Sequence, residues 1–129
     1  MHNDSRAFSG FSVNDLDAAK EFYGQTLGLK IEEQPGMGMH LKLADDTSVF
    51  VYSKADHVPA TFTILNFPVD DIDAAVDDLA AKGVSFEHYG SVDMPQDDKG
   101  VLRGRAANMG PDIAWFKDPA GNILSVLQN

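Results

Sequence analysis

The residues that stand out for chemistry in this chain are four histidines, two closely spaced arginines, one tryptophan and a supply of carboxylates, and there is no cysteine. No thiolate nucleophile, disulfide or Cys-type metal site is available. His2, His40, His57 and His88 are far apart in sequence, and no two share the helical i, i+4 spacing that presents a pair of ligands to one metal ion. His40 lies in a strand-like segment, where it could serve as a base or a hydrogen-bond donor. The other three histidines are expected to be solvent-facing or structural. Arg103 and Arg105 share a face if their segment is extended. They could then clamp a carboxylate or phosphate, or pair with the acids at Asp97 and Asp98. Trp115 could stack on a planar or cationic ligand, fill a core or form a subunit contact. Nucleophile-elbow, phosphate-loop and His-Glu-x-x-His patterns are missing.

The elements that must position these groups follow from an internal repeat. Val13-Asn14-Asp15-Leu16-Asp17-Ala18-Ala19 recurs as Val69-Asp70-Asp71-Ile72-Asp73-Ala74-Ala75, with five of seven residues identical at an offset of 56. Each copy follows an extended run, Phe8 to Val13 and Phe62 to Val69, and opens a helical pattern. The first helix is expected over Asp15 to Leu27, capped by Asn14 or Asp15 and ended by Gly28. The second is expected over Asp71 to Lys82, ended by Gly83. Strands are expected at Leu29 to Glu33, Met39 to Leu43 and Val49 to Ser53, then at Val84 to Tyr89, Ile113 to Lys117 and Ile123 to Gln128. The chain therefore reads as an α+β protein of two βαβββ modules, about 6–54 and 61–129, joined by a linker at about 55–60 into a single domain, 1–129. A long irregular stretch, Gly90 to Asp112, interrupts the second module, and loops of that length tend to carry function.

Strand alternation divides each first strand into two faces. Ser9, Phe11 and Val13, and in the second copy Leu65, Phe67 and Val69, should meet the helices. Phe8, Gly10, Ser12, Ile64 and Asn66 are left on the opposite face. That lining is apolar with a few hydrogen-bonding groups, which suits an organic ligand better than an ion. Asn66 could serve either a ligand or the neighbouring backbone. Met37, Met39, Met94 and Met109 could form adaptable walls or simply fill gaps.

The repeated Val-x-Asp-Leu/Ile helix entry, Phe22-Tyr23 with Leu27-Gly28, and the closing Phe116-Lys117-Asp118-Pro119-Ala120-Gly121-Asn122 turn together resemble the vicinal-oxygen-chelate superfamily. The likeness runs over nearly the whole chain. It implies the glyoxalase/bleomycin-resistance fold, in which mixed sheets from the two modules form a cup, often completed in a homodimer. Metal-dependent members of that family line the cup with four ligands. By the resemblance those positions fall at Phe8, Ile64, about Val51 and Ser125. Three of these side chains carry no donor atom, and a serine hydroxyl is a weak ligand for divalent metals. No metal and no cofactor are therefore expected.

The net charge of −10 disfavours nucleic acid and anionic membranes as partners, since both are bound through cationic side chains. The polar start of the chain lacks a signal-peptide core, and a cytoplasmic protein is expected. The residues expected to line a binding site are Phe8, His40, Val51, Ile64, Asn66, Trp115, Ser125 and Arg103. Two functions with a small-molecule ligand compete, beside a third reading in which the domain takes no small ligand and serves as an interaction or regulatory module. One is a metal-free small-molecule binder that sequesters a cationic or aromatic compound. The other is a glyoxalase-like lyase, isomerase or dioxygenase with a non-standard or metal-independent site. A binder needs a roomy aromatic lining, whereas an enzyme needs at least two polar groups within reach of one reacting atom.

Overall fold

The computed structural model describes residues 5–90 and 95–129. His2 and Met94 lie outside the described residues. The chain divides into two compact units at Pro59 and Ala60.

In the first unit the elements run β1 (Ser9–Val13), α1 (Leu16–Glu21), a π-helical turn (Phe22–Thr26), β2 (Lys30–Gln34), β3 (Gly38–Lys42) and β4 (Ser48–Ser53). They form a four-stranded sheet of order β1-β4-β3-β2, with β1 parallel to β4 and the other pairs antiparallel. The second unit repeats this plan with β5 (Thr63–Pro68), α2 (Ile72–Ala81), β6 (Leu102–Arg103), β7 (Asp112–Lys117) and β8 (Ile123–Gln128), in the order β5-β8-β7-β6. Again the outer pair β5-β8 is parallel and the others antiparallel. Both sheets are open and mixed, as the two-module reading requires.

The repeated heptad produces the same local geometry twice. Asp15 and Asp71 take nearly identical extended backbone angles, φ −139° and −140° with ψ 105° in both. Each carboxylate accepts from the amide three residues on, Ala18 and Ala74, at 3.1 Å. Such a cap satisfies an otherwise orphaned helix donor and contributes roughly 1 kcal/mol. The first helix continues past Glu21 as a π turn, in which the Leu27 amide donates to the Phe22 carbonyl at 2.9 Å. The helices pack on the faces that alternation assigns. Val13, Ala19, Tyr23, Met39, Leu41 and Val51 are buried in the first unit, and Ile72, Val76, Ala114, Phe116, Leu124 and Val126 in the second.

One expected strand does not form. Over Val84 to Tyr89 only Phe86 bridges to Phe116, reinforced by the Glu87 amide donating to the Trp115 carbonyl at 2.8 Å. The rest of that edge of β7 is taken by Leu102 and Arg103, opposite Ile113 and Asp112. Two short segments thus share that edge of β7. The Val84 amide is still turned toward the Leu79 carbonyl at the end of α2 (3.0 Å), so the segment joins the sheet late. The Gln96 side chain donates to the Glu87 and Gly100 carbonyls at 3.0 and 2.6 Å and accepts from the Tyr89 amide, holding the departing chain.

The turn between β7 and β8 depends on one carboxylate. Asp118, buried, accepts from the Ala120 and Asn122 amides at 2.9 Å and from Asn122 Nδ2 at 3.0 Å. Asp118→Ala removes the acceptor that these three donors share, and Asn122 is almost fully buried. Urea unfolding of this variant should show a loss of about 2–3 kcal/mol; a stability within about 0.5 kcal/mol of wild type, the range of an ordinary surface substitution, would contradict this role.

Candidate functional site

In the first unit, α1 covers the face that holds Phe11, whose ring lies 5.8 Å from that of Tyr23. The other face presents Gly10 and Ser12 from β1, Phe50 and Tyr52 from β4 and His40 from β3, brought side by side by the register Gly10↔Phe50, Ser12↔Tyr52 and His40↔Phe50. The rings form a row. Phe50 and Tyr52 stack at 5.7 Å with an interplanar angle of 20°, and the His40 ring lies 5.1 Å from Phe50. Phe8, 65% exposed, meets the other side of His40 edge-on at 6.3 Å. His40 Nε2 donates to the Gln34 side-chain carbonyl at 3.0 Å, which makes Nδ1 the acceptor of the neutral ring. At the far end of the row, Ser12 Oγ and His57 Nδ1 are 2.7 Å apart. Beside Phe8 lies a cavity of about 530 Å³ lined by Arg6, Ala7, Phe8, Asp45, Asp46, Thr47 and Ser48.

In the second unit the face away from α2 carries Asn66, Ser125 and Trp115, neighbours in register across β5, β8 and β7. The Ser125 hydroxyl, fully buried, donates to Asn66 Oδ1 at 2.6 Å. Trp115 Nε1 donates to Thr63 Oγ1 at 3.2 Å, and the Tyr89 ring stands edge-on to the indole at 5.8 Å. Burial, followed by the nearby Glu87 carboxylate, pushes the Tyr89 phenol up, so Tyr89 is a neutral hydroxyl at physiological pH.

The residues expected at a binding site are thus distributed as follows. Phe8 and His40 come together in the first unit; Asn66, Trp115 and Ser125 come together in the second. Ile64 is half-buried beside an irregularity in the β5-β8 register between Thr63 and Leu65. Val51 lies on the helix-covered face, fully buried opposite Phe11 and Met39, and a ligand on the aromatic row does not touch it. Its neighbours Phe50 and Tyr52 hold the outward positions. Arg103 lies on the α2 side of the second sheet, opposite Asp112. Its guanidinium donates twice to Asp73, at 2.7 and 3.1 Å, and to Asp97 at 2.8 and 3.0 Å. This is the carboxylate pairing that the sequence offered as the alternative to a ligand clamp. Arg105 is likewise 3.7 Å from the Asp112 carboxylate.

Phe50, Tyr52 and the Ser12–His57 pair escaped the sequence reading. The alternation Val49-Phe50-Val51-Tyr52 contains the signal for the first two. Nothing in a residue count links His57 to Ser12.

The donor set does not fit a divalent metal. Phe8, Val51 and Ile64 offer no lone pair, and the Ser125 hydroxyl is engaged with Asn66. Among the described residues, no three His, Asp or Glu side chains are grouped to hold a metal ion. Among the same residues, no helix is long and apolar enough to cross a membrane.

A family model described as Glyoxalase/Bleomycin resistance protein/Dioxygenase superfamily matches residues 8–126. Comparison with curated proteins returned no match. Among solved structures, the chain is similar to TnmS3, an antibiotic binding protein from Streptomyces sp. CB03234, with 27% identity, 98% of each chain covered and a TM-score of 0.64. It is also similar in fold to a glyoxalase family protein from Enterococcus faecalis, with 19% identity, coverage of 98% and 99%, and a TM-score of 0.66. A putative glyoxalase family protein from Bacillus anthracis gives 19%, 100% and 99%, and 0.64.

The Arg103 cluster makes a testable claim about the long loop of the second unit. The hydrogen bonds from Arg103 hold the Asp73 carboxyl below its ordinary value of 3.8. For Asp97, burial opposes ionisation, but the Val101 amide and Arg103 outweigh it and the carboxyl is again lowered. A lowered carboxylate stabilises the fold above its unfolded value and loses that contribution as pH falls through the folded value. Arg103→Met should therefore reduce the urea midpoint at pH 7, with the gap from wild type constant down to about pH 5 and shrinking below about pH 4. A gap that widened in acid would contradict the assignment.

Proposed function

The chain belongs to the Glyoxalase/Bleomycin resistance protein/Dioxygenase superfamily, and within it we propose that this protein is a metal-free binder of small organic molecules, cationic or aromatic compounds foremost. The observation that carries the reading is the aromatic row Phe8, His40, Phe50 and Tyr52, laid on the sheet face away from α1, with Phe8 at one of the positions that the resemblance assigns to a metal ligand. Rings of this kind offer area and stacking to a planar ligand, and their faces attract a cation. The acidic rim at Asp45 and Asp46, beside Phe8, adds attraction for positive charge. In the second unit, Trp115 with Tyr89, Asn66 and Ser125 supplies a second ring surface with polar groups at fixed positions. The 27% identity to an antibiotic binding protein over nearly the full length of both chains supports binding rather than turnover. We further take residues 1–129 to act as one domain in the cytoplasm, paired as a homodimer.

Calorimetric titration with a planar cationic aromatic such as proflavine should show saturable binding, and a change in Trp115 emission would report engagement of the second face. Phe50→Ala should weaken binding about tenfold or more, the loss of one stacked ring. An affinity unchanged by that substitution would exclude the aromatic row as the binding surface.

A further inference from the structure

In the second unit β8 lies between β5 and β7, so a contact from Trp115 to Thr63 has to span it. Trp115 Nε1 donates to Thr63 Oγ1 at 3.2 Å, which carries the indole across β8 on the face that holds Ser125 and Asn66. The indole stays half-buried, and the Tyr89 ring meets it edge-on at 5.8 Å with an interplanar angle of 68°. Beside this ring corner the hydrogen-bonding groups are fixed in one sense. The Ser125 hydroxyl, fully buried, gives its proton to Asn66 Oδ1 at 2.6 Å. Asn66, exposed and in register with Ser125, is left with two Nδ2 protons to give and has no other partner among the described residues. Thr63 Oγ1, occupied by the indole as an acceptor, likewise keeps its own proton to donate.

From this arrangement we propose that the face of the second sheet away from α2 binds planar aromatic compounds that carry an uncharged carbonyl, with the ring on Trp115 and the carbonyl oxygen accepting from Asn66 Nδ2. The proposal rests on the binding function proposed above and gives the ligand chemistry of this second ring surface. A ketone or amide oxygen has lone pairs and no proton of its own, the complement of a group that has only protons left to give. A carboxylate brings the same lone pairs together with a charge, and the charge counts against it here. Burial and then Glu87 push the Tyr89 phenol up, and Lys117, 3.3 Å from Glu87, opposes them less. The field at this corner is therefore negative, in a chain whose net charge is −10.

The test titrates the full chain with 2-acetonaphthone, 2-ethylnaphthalene and 2-naphthoate and follows the Asn66 side-chain amide and the Trp115 indole N–H by proton–nitrogen correlation NMR. A surface that buries apolar area alone prefers the hydrocarbon, because the ketone gives up hydration without return. Wild type should instead bind the ketone about fivefold more tightly than the hydrocarbon, the scale of one net hydrogen bond. Naphthoate should bind more weakly than the ketone. The Asn66 amide signals should move downfield with the ketone beyond any shift that the hydrocarbon causes. Asn66→Asp keeps an oxygen for Ser125 and replaces the donor with a second acceptor. It should lower the ketone affinity about tenfold and leave that of the hydrocarbon near its wild-type value. A wild-type preference for the hydrocarbon, an Asn66 signal that does not respond to the ketone, or a ketone affinity unchanged in Asn66→Asp overturns the proposal. Naphthoate binding more tightly than the ketone overturns it too. If proflavine still binds, each of these results leaves the binding function standing, whereas failure of proflavine and all three naphthalenes overturns both. Should thermal unfolding show that Asn66→Asp does not fold, the wild-type ranking and the Asn66 signals decide the question.

Discussion

Each sheet buries one face beneath its helix, and the period of two along a strand decides which side chains are left on the other. Which side chains a ligand can meet depends on that division. Phe11, Met39 and Val51 fall under α1 and form core; one residue away, His40, Phe50 and Tyr52 fall outside it and form a surface of rings. A shift of one residue in register would exchange the two sets. The burial of Val13, Leu41 and Val51 on one face opposes such a slip, since it would place these apolar side chains in water and bring His40 and Tyr52 beneath the helix.

The two units apply this constraint twice to different ends. Their caps are nearly superposable, yet the faces opposite the helices differ in chemistry. The first carries stacked rings and an imidazole, the second a single indole with hydroxyls and an amide. The second unit also carries the charge network on its helix side. There Arg103 and Lys99 bind the carboxylates of α2 to the loop that includes Asp97. This network accounts for part of the acidic face of α2, whose Asp73 and Asp77 serve as anchor points as well as solvated charge.

Local signals were legible wherever the physics is local. The helix entries at Asp15 and Asp71, the Asp118 turn and most of the strands follow from capping chemistry, side-chain period and glycine placement, and the structure places them within a residue or two. The strand expected at Val84 to Tyr89 was not legible, because its fate depends on Leu102 and Arg103 competing for the same edge of β7. Val51 was mistaken for a lining residue because its position was carried over from a resemblance, without the parity of β4. His57 was beyond reach for a further reason. Its contact with Ser12 spans 45 residues and is set by a turn that one backbone hydrogen bond beyond β4 makes possible. Family membership, by contrast, was legible from the order of the repeated motifs, and residues 8–126 match the family model.

The central claim is that these side chains can surround an organic molecule but do not supply the donors for a divalent metal. Its most direct test is the metal content of protein purified without chelator, measured by elemental analysis and followed by calorimetric titration with Ni(II), Zn(II), Mn(II) and Fe(II). The account predicts substoichiometric metal and no saturable heat of binding. One equivalent of tightly held metal, retained through purification and lost on substitution of His40, would contradict it.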